Sequence, residues 1–388
     1  MKILKLSPII LLVCLCSPVF SQDPDYRSIS EKIVNTTLKV QPGESVFISG
    51  SSDELDLMEE LYVTVSKAGG KPILGIDIPT AQKRAVMETS NDYLSSPNKF
   101  GLTMMKEVDC FINVNSVENP DLFKDVPEEK LAAFRQSFQA FNEVYPSADF
   151  RSVSLGQVGG IPTQAYAKSI GADYTQLKTM FWEAVDTDYK ALLAKGKKIA
   201  ASMKNGSSAH LKSTAGTDIT FTIGNTDART NCGRSEETAD KSGPSESWLP
   251  AGEVYITIDP TSANGTLVVP YLDFRDHDIS NLKLTFKNGT ISSMEADENI
   301  QVLEKALNLS TGIKNALSYL DIGLNPDSHP LEGSDYLSFE MGGVITVGVG
   351  SNLWAGGGVV SDFGVSFHLP NSTLAIDGQE IVVNGSLK

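Results

Sequence analysis

The chain has 388 residues, a formal net charge of -16, 41% hydrophobic and 21% charged residues. That length allows two domains and a large core, and the composition is that of an ordinary globular protein rather than a disordered one. So acidic a balance repels phosphate backbones and anionic lipid, which argues against nucleic acid and membrane surfaces as partners. The absence of any heptad, collagen or short-period repeat argues against fibrous and solenoid folds.

Residues 1–21 read as a secretory signal. Lys2 and Lys5 form a basic start, Ile9 to Val19 an apolar core, and Val19-Phe20-Ser21 places small residues at the cleavage positions. The apolar stretch is too short to span a bilayer, and no later run approaches that length, so no membrane insertion is expected. Cys14 follows Val13 and Cys16 follows Leu15, which is not a lipoprotein pattern. The mature protein is expected to begin at Gln22 and to be exported, soluble, to the periplasm or medium. It keeps two cysteines, too few for a disulfide scaffold. Cys110 sits in the apolar run 108–114 and reads as a buried structural thiol. Cys232 lies in a polar loop, and both free thiols and a bridge between the two remain open.

From Gln22 to about Gly206 the pattern is α/β. A short apolar strand at 45–49 leads into a helix with Leu57, Met58, Leu61, Val65 and Ala68 on one face, which Ser52 or Asp53 could cap. Gly69-Gly70 stops that helix ahead of a second strand at 72–78, and β-α-β spacing predicts parallel pairing. The Cys110 strand, a helix over 128–145 and a strand near Val153 follow. A helix then starts at Pro162, and a long helical run covers 174–204. Beyond Gly206 strands predominate, at 210–212, 218–223, 254–258, 266–274 and 282–286. Asn288-Gly289 and Asp377-Gly378 are hairpin turns, and only 297–316 looks helical. The expected organisation is a signal peptide (1–21), an α/β domain with a mainly parallel sheet (22–206) and a β-rich α+β domain (207–388).

Standard chemical signatures are missing: there is no HExxH, GxSxG, Walker A or CxxC. The glycines between Gly348 and Gly358 lack dinucleotide-site order and suit tight turns. His210, His277, His329 and His368 show no i, i+4 pairing. Asp273, Asp276, His277 and Asp278 could hold a hard cation or simply form a solvated turn.

One string is more specific. Gly216–Phe221, Leu249-Pro250-Ala251-Gly252-Glu253-Val254-Tyr255 and Ser262–Thr266 resemble the thermophilic aminopeptidase family, also called leucyl aminopeptidase or aminopeptidase T. The resemblance extends in order from Leu38–Glu44 through Pro162–Ala167, Phe286–Gly289 and Gly323–Pro326 to Thr373–Gly378. It implies an α/β N-terminal part, a β-rich C-terminal part and a homodimer. It also implies co-catalytic metallopeptidase chemistry, with two divalent ions (Zn, Co or Mn) cleaving N-terminal residues from short peptides.

Glu253 stands where the resemblance places the first metal ligand. The remaining ligand positions fall on Tyr319 (in the pair Ser318-Tyr319), Thr346, Ser361 and Phe363, none of which is a strong ligand. Asp321 and Asp362 are the nearest substitutes. Strand alternation puts Asp321 on the face of Tyr319, whereas Asp362 and His368, opposite in parity to Ser361 and Phe363, are expected to point away. Two readings follow: an exported aminopeptidase with a weakened metal site, or an inactive relative that binds a peptide or glycan in the inherited cleft. A structural envelope protein is a third, with export alone in its favour.

Overall fold

The computed structural model describes residues 24–156, 160–235, 244–275, 277–331 and 334–388. The signal segment and Asp276 lie outside them. The run Val46-Phe47-Ile48 forms strand β1 (Ser45–Ser51), and helix Leu55–Lys67 follows with Leu57, Met58, Leu61 and Val65 fully buried. This helix begins through a 3-10 turn at Ser52–Glu54 with no side-chain cap, so neither Ser52 nor Asp53 caps it. Acidic Asp53, Glu54 and Asp56 instead stand at the positive end of the helix dipole. After Gly69, at φ +88, come β2 (Lys71–Asp77), β3 (Cys110–Val114) and β4 (Arg151–Leu155), all paired parallel in the order β2-β1-β3-β4.

Two expected helices are each divided. The first becomes Glu128–Gln136 and Gln139–Val144. The long run becomes Tyr174–Val185 and Tyr189–Ala200, because Asp188 caps the second piece through bonds from the Lys190 and Ala191 amides. Lys32 Nζ fixes the break by donating to the carbonyls of Asp186 and Thr187 at 2.7 and 2.9 Å.

The chain then makes β5 (Ser208–Ser213), β6 (Asp218–Thr222) and β7 (Arg229–Asn231) before returning. Strand β8 (Ser245–Leu249) pairs parallel with β4 and completes the first sheet, so that sheet takes its last strand from beyond residue 206. The remaining strands are β9 (Glu253–Thr257), β10 (Asn264–Asp273), β11 (Asp278–Lys287), β12 (Thr290–Glu295), β13 (Leu317–Gly323), β14 (Ile345–Gly350), β15 (Gly364–Leu369), β16 (Ser372–Ile376), β17 (Gln379–Val383) and β18 (Ser386–Leu387). They build an eight-stranded antiparallel sheet, β12-β11-β10-β6-β5-β16-β17-β18, and a five-stranded one, β15-β14-β13-β9-β7. Asn288-Gly289 and Asp377-Gly378 turn with both residues at positive φ, as two-residue hairpins require. The helix expected over 297–316 is confined to Ile300–Leu309.

Cys110 and Cys232 are buried free thiols. Burial pushes the Cys110 thiol up to about 11, against the pull of Arg151. Among the described residues no helix is long and apolar enough to cross a membrane.

Candidate functional site

The five-stranded antiparallel sheet is sorted by its register into two unlike faces. Tyr255 pairs with Asp321, Asp321 with Thr346, and Thr346 with His368, while Glu253 lies opposite Gly323 and Thr257 opposite Tyr319. Directly opposed residues share a face, so Glu253, Tyr255, Tyr319, Asp321, Thr346 and His368 all project from one side. The other side carries Val254, Ile256, Leu320, Ile322, Val347 and Phe367, all in the hydrophobic core. A polar face on strands this deeply buried is costly unless its groups find partners.

At its centre the carboxyls of Glu253 and Asp321, each 2% exposed, are hydrogen-bonded to one another. Burial raises the pKa of both, and for Asp321 the charge of Glu253 adds to it. Asp321 therefore keeps a proton and donates it to Glu253. The Trp248 indole and the Asn231 amide also donate to Glu253. Asn231 is held by Ser247 Oγ, which donates to its Oδ1 at 2.9 Å, and itself donates to the Trp248 carbonyl at 2.9 Å. Glu340, 1% exposed, joins the cluster, its pKa raised by burial and then by Glu253.

Aromatic rings roof this cluster. Trp354 lies 5.0 Å from Tyr255 and 5.0 Å, edge-on, from Tyr319. The Tyr319 ring fills the space above Gly348, where an added Cβ would fall 1.7 Å from Cε1. The turn into β9 is fixed by Asn325, which donates to the carbonyls of Ala184 and Ala251 at 3.0 and 2.6 Å. Asn325→Ala would leave both buried carbonyls short of a donor and should cost about 2–4 kcal/mol in denaturant unfolding.

The structure brings Glu253, Asp321, Tyr319 and Thr346 together and places the other sequence candidates elsewhere. Ser361 Oγ donates to the Thr311 carbonyl at 2.8 Å, and the exposed Asp362 carboxylate accepts from Thr311 N at 2.6 Å. That bonding holds the Asp362 pKa low. Phe363 turns inward against Phe274. All three precede β15, so strand parity does not govern them. His368 corrects the parity argument: it faces the site side, and its Nδ1 is bonded to Thr346 Oγ1 at 2.9 Å. Desolvation pulls its imidazole down to about 4, so it is neutral near pH 7. Around the acidic turn, Tyr271 donates to Asp278, and His277 and Phe274 exchange backbone bonds, as in a tight hairpin. Sequence reasoning missed Glu340, Asn231 and Trp248; Glu340 lies in a connecting segment with no periodicity to mark it.

Glu253 Oε1, Asp321 Oδ1 and Glu340 Oε2 are buried with no hydrogen-bond partner, atoms that a ligand could complete. Divalent ions need several carboxylate or imidazole ligands close together, whose protons they displace on binding. Glu253, Asp321 and Glu340 are the carboxyls this cluster offers, while Tyr319 and Thr346 offer neutral oxygens. Among the described residues no three His, Cys, Asp or Glu side chains converge closely enough to hold an ion. This donor set does not fit a two-ion centre. Beside the same face, between β10 and β15, lies a cavity of about 320 Å³. Tyr271, Leu331, Asp335, Met341 and His368 help to line it.

A parallel α/β layer is thus followed by antiparallel sheets, and the carboxylate of Glu253 opens the strand β9 that follows β8, the last strand of the parallel sheet. The family described as Thermophilic metalloprotease (M29) matches residues 23–317, and the chain belongs to that family. It is 20% identical over 331 residues to Aminopeptidase 2 of Geobacillus stearothermophilus, covering 80% of this chain and 78% of that protein. Its fold is similar to wild-type AmpT from Thermus thermophilus, with a TM-score of 0.66 at 14% identity over 93% of this chain and 98% of that one. It is also similar to a 2,5-dihydroxypyridine dioxygenase from Pseudomonas putida KT2440, with a TM-score of 0.60 at 15% identity over 94% and 96% of the two chains. The scaffold therefore serves more than one chemistry, and function must be argued from the site.

Proposed function

We propose that this protein is an exported, peptide-binding member of the family that does not carry out co-catalytic metallopeptidase chemistry. The observation that carries the reading is the donor set: beyond Glu253 the ligand positions fall on Tyr319 and Thr346, which offer neutral oxygens, and on Ser361 and Phe363, which are bound to Thr311 and packed on Phe274 instead. Two further facts support it. The family match ends at residue 317, just before Tyr319, Thr346, Ser361 and Phe363. The cavity beside His368 combines apolar walls with the carboxyl of Asp335 and is at the small end of ligand pockets. A short peptide offers both the apolar side chain and the ammonium group such a lining would hold. Export rests on the basic and apolar character of residues 1–21.

Elemental analysis of the purified protein, beside an N-terminal peptidase assay with added Zn²⁺, Co²⁺ or Mn²⁺, tests the reading. The expected result is far less than one equivalent of metal and no metal-stimulated hydrolysis. Robust hydrolysis that Glu253→Gln abolishes would replace the proposal with the aminopeptidase reading.

A further inference from the structure

We propose that the outer edge of β15 is the docking strand for a peptide, which adds to the five-stranded sheet as a further strand, antiparallel to β15 and with its N-terminus at Asp335. The inference rests on the peptide-binding reading above. Strand β15 ends that sheet. Gly323 N donates to the Val344 carbonyl and Gly350 N to the Ala316 carbonyl, so the even-numbered residues of β14 turn their backbone groups toward β13. Their register partners Gly364, Ser366 and His368 are therefore the non-hydrogen-bonded positions of β15, and their N–H and C=O groups point outward. Among the described residues no backbone bond occupies these groups. Gly364 is exposed, and Ser366 and His368 are partly so. Edge strands are normally blunted by charges, prolines or bulges. Gly-Val-Ser-Phe-His-Leu has no Asp, Glu, Lys, Arg or Pro, and its pairing with β14 runs without a register shift.

The chemistry of the edge selects its occupant. Paired donors and acceptors that recur at every second residue match an extended main chain, which supplies the same groups at the same spacing; a sugar or a hydrocarbon does not. His368 joins this edge to the cavity, which it also lines. Asp335 lines the cavity too, and the charges of Asp273 and Asp278 act on it, so this end is negative. An ammonium group is favoured there and a carboxylate is repelled. That fixes the direction. With its first residue opposite His368 the peptide runs antiparallel to β15, its third residue exchanges both main-chain bonds with Ser366, and its fifth reaches Gly364. Opposed residues share a face, so the first side chain lies on the His368 side, in the cavity with Pro270, Leu331, Met341 and Val344. A parallel strand would instead bring the C-terminal carboxylate of the peptide to Asp335. The main chain thus supplies affinity, and the cavity selects an apolar first residue with a free amine.

Isothermal titration calorimetry with synthetic pentapeptides headed by Leu, Met, Phe or Val, the remainder alanine and serine, tests this. Methylating the third amide nitrogen removes the N–H that the Ser366 carbonyl accepts and should weaken binding about tenfold or more. Acetylating the N-terminus should weaken it as much in the wild type, whereas Asp335→Asn should no longer distinguish the two forms. On the protein side, Ser366→Pro removes the outward N–H, a change an edge strand tolerates, and Ser366→Ala keeps it. Both lose the bond to Tyr319 Oη, so the difference between them reads the main-chain bond alone. The proline variant should bind about tenfold more weakly than the alanine variant. Thermal unfolding checks that both are folded; if the proline variant is not, the methylated peptide reads the same edge from the other side. Peptides that bind the wild type but are indifferent to methylation of the third amide, and to proline against alanine at Ser366, would overturn the docking strand and leave the peptide-binding reading standing. Binding by none of the peptides would overturn both.

Discussion

Replacing Asp321 with Asn is expected to leave stability unchanged in acid, where the carboxyl is protonated in the folded and the unfolded chain alike, and to raise it increasingly as pH climbs past the ordinary carboxyl range. The folded-state pKa of Asp321 is raised by burial and by Glu253, so the native chain holds a proton that the unfolded chain releases. Stability is then fully present below the unfolded carboxyl range and falls as pH rises through the folded value. Asparagine keeps a donor toward Glu253 and has no proton to lose. The gain in denaturant unfolding should therefore grow as pH rises. Destabilisation by Asp321→Asn at high pH would mean that Asp321 is ionised and paired with a cation, contrary to the proton-sharing pair.

The second large effect is expected at Gly252. Its φ of +137 lies in a region open essentially to glycine, and an added Cβ would fall 2.7 Å from Asn325 Cβ and 2.8 Å from its backbone nitrogen. The Gly252 carbonyl also accepts from Leu324 N at 2.7 Å, so the turn has little room to relax. Gly252→Ala should cost roughly 3 kcal/mol or more, from backbone strain and overpacking together. It should also displace Glu253 and Asn325. Thermal unfolding beside Gly206→Ala, at a positive φ with open space around it, separates the clash from the strain. A loss at Gly252 no larger than that at Gly206 would show that Asn325 moves aside freely.

Much of the fold is legible because its elements carry simple periods. The helix after β1 buries the face its apolar spacing marks, and the hairpins stand at Asn-Gly and Asp-Gly. Strand β8 was not legible: Ser245-Glu246-Ser247-Trp248-Leu249 has no apolar run, and it joins the sheet through backbone pairing with β4. The site was legible where pleating governs it. Asp321 shares the face of Tyr319 as alternation requires. His368 departs from the parity expectation because Ser361 and Phe363 lie before β15 begins at Gly364, outside the pleated strand that sets its face. Glu340 has no pattern at all and is revealed by its burial alone.

The central claim is that the buried carboxyls share a proton rather than hold metal. Thermal unfolding of the wild type and of Glu253→Gln near pH 7, each with and without saturating Zn²⁺, Co²⁺ or Mn²⁺, tests it most directly, because any ion bound by the native state alone raises its stability. The account predicts that the ions shift neither protein. A metal-dependent rise of several degrees in the wild type that disappears in Glu253→Gln would contradict it.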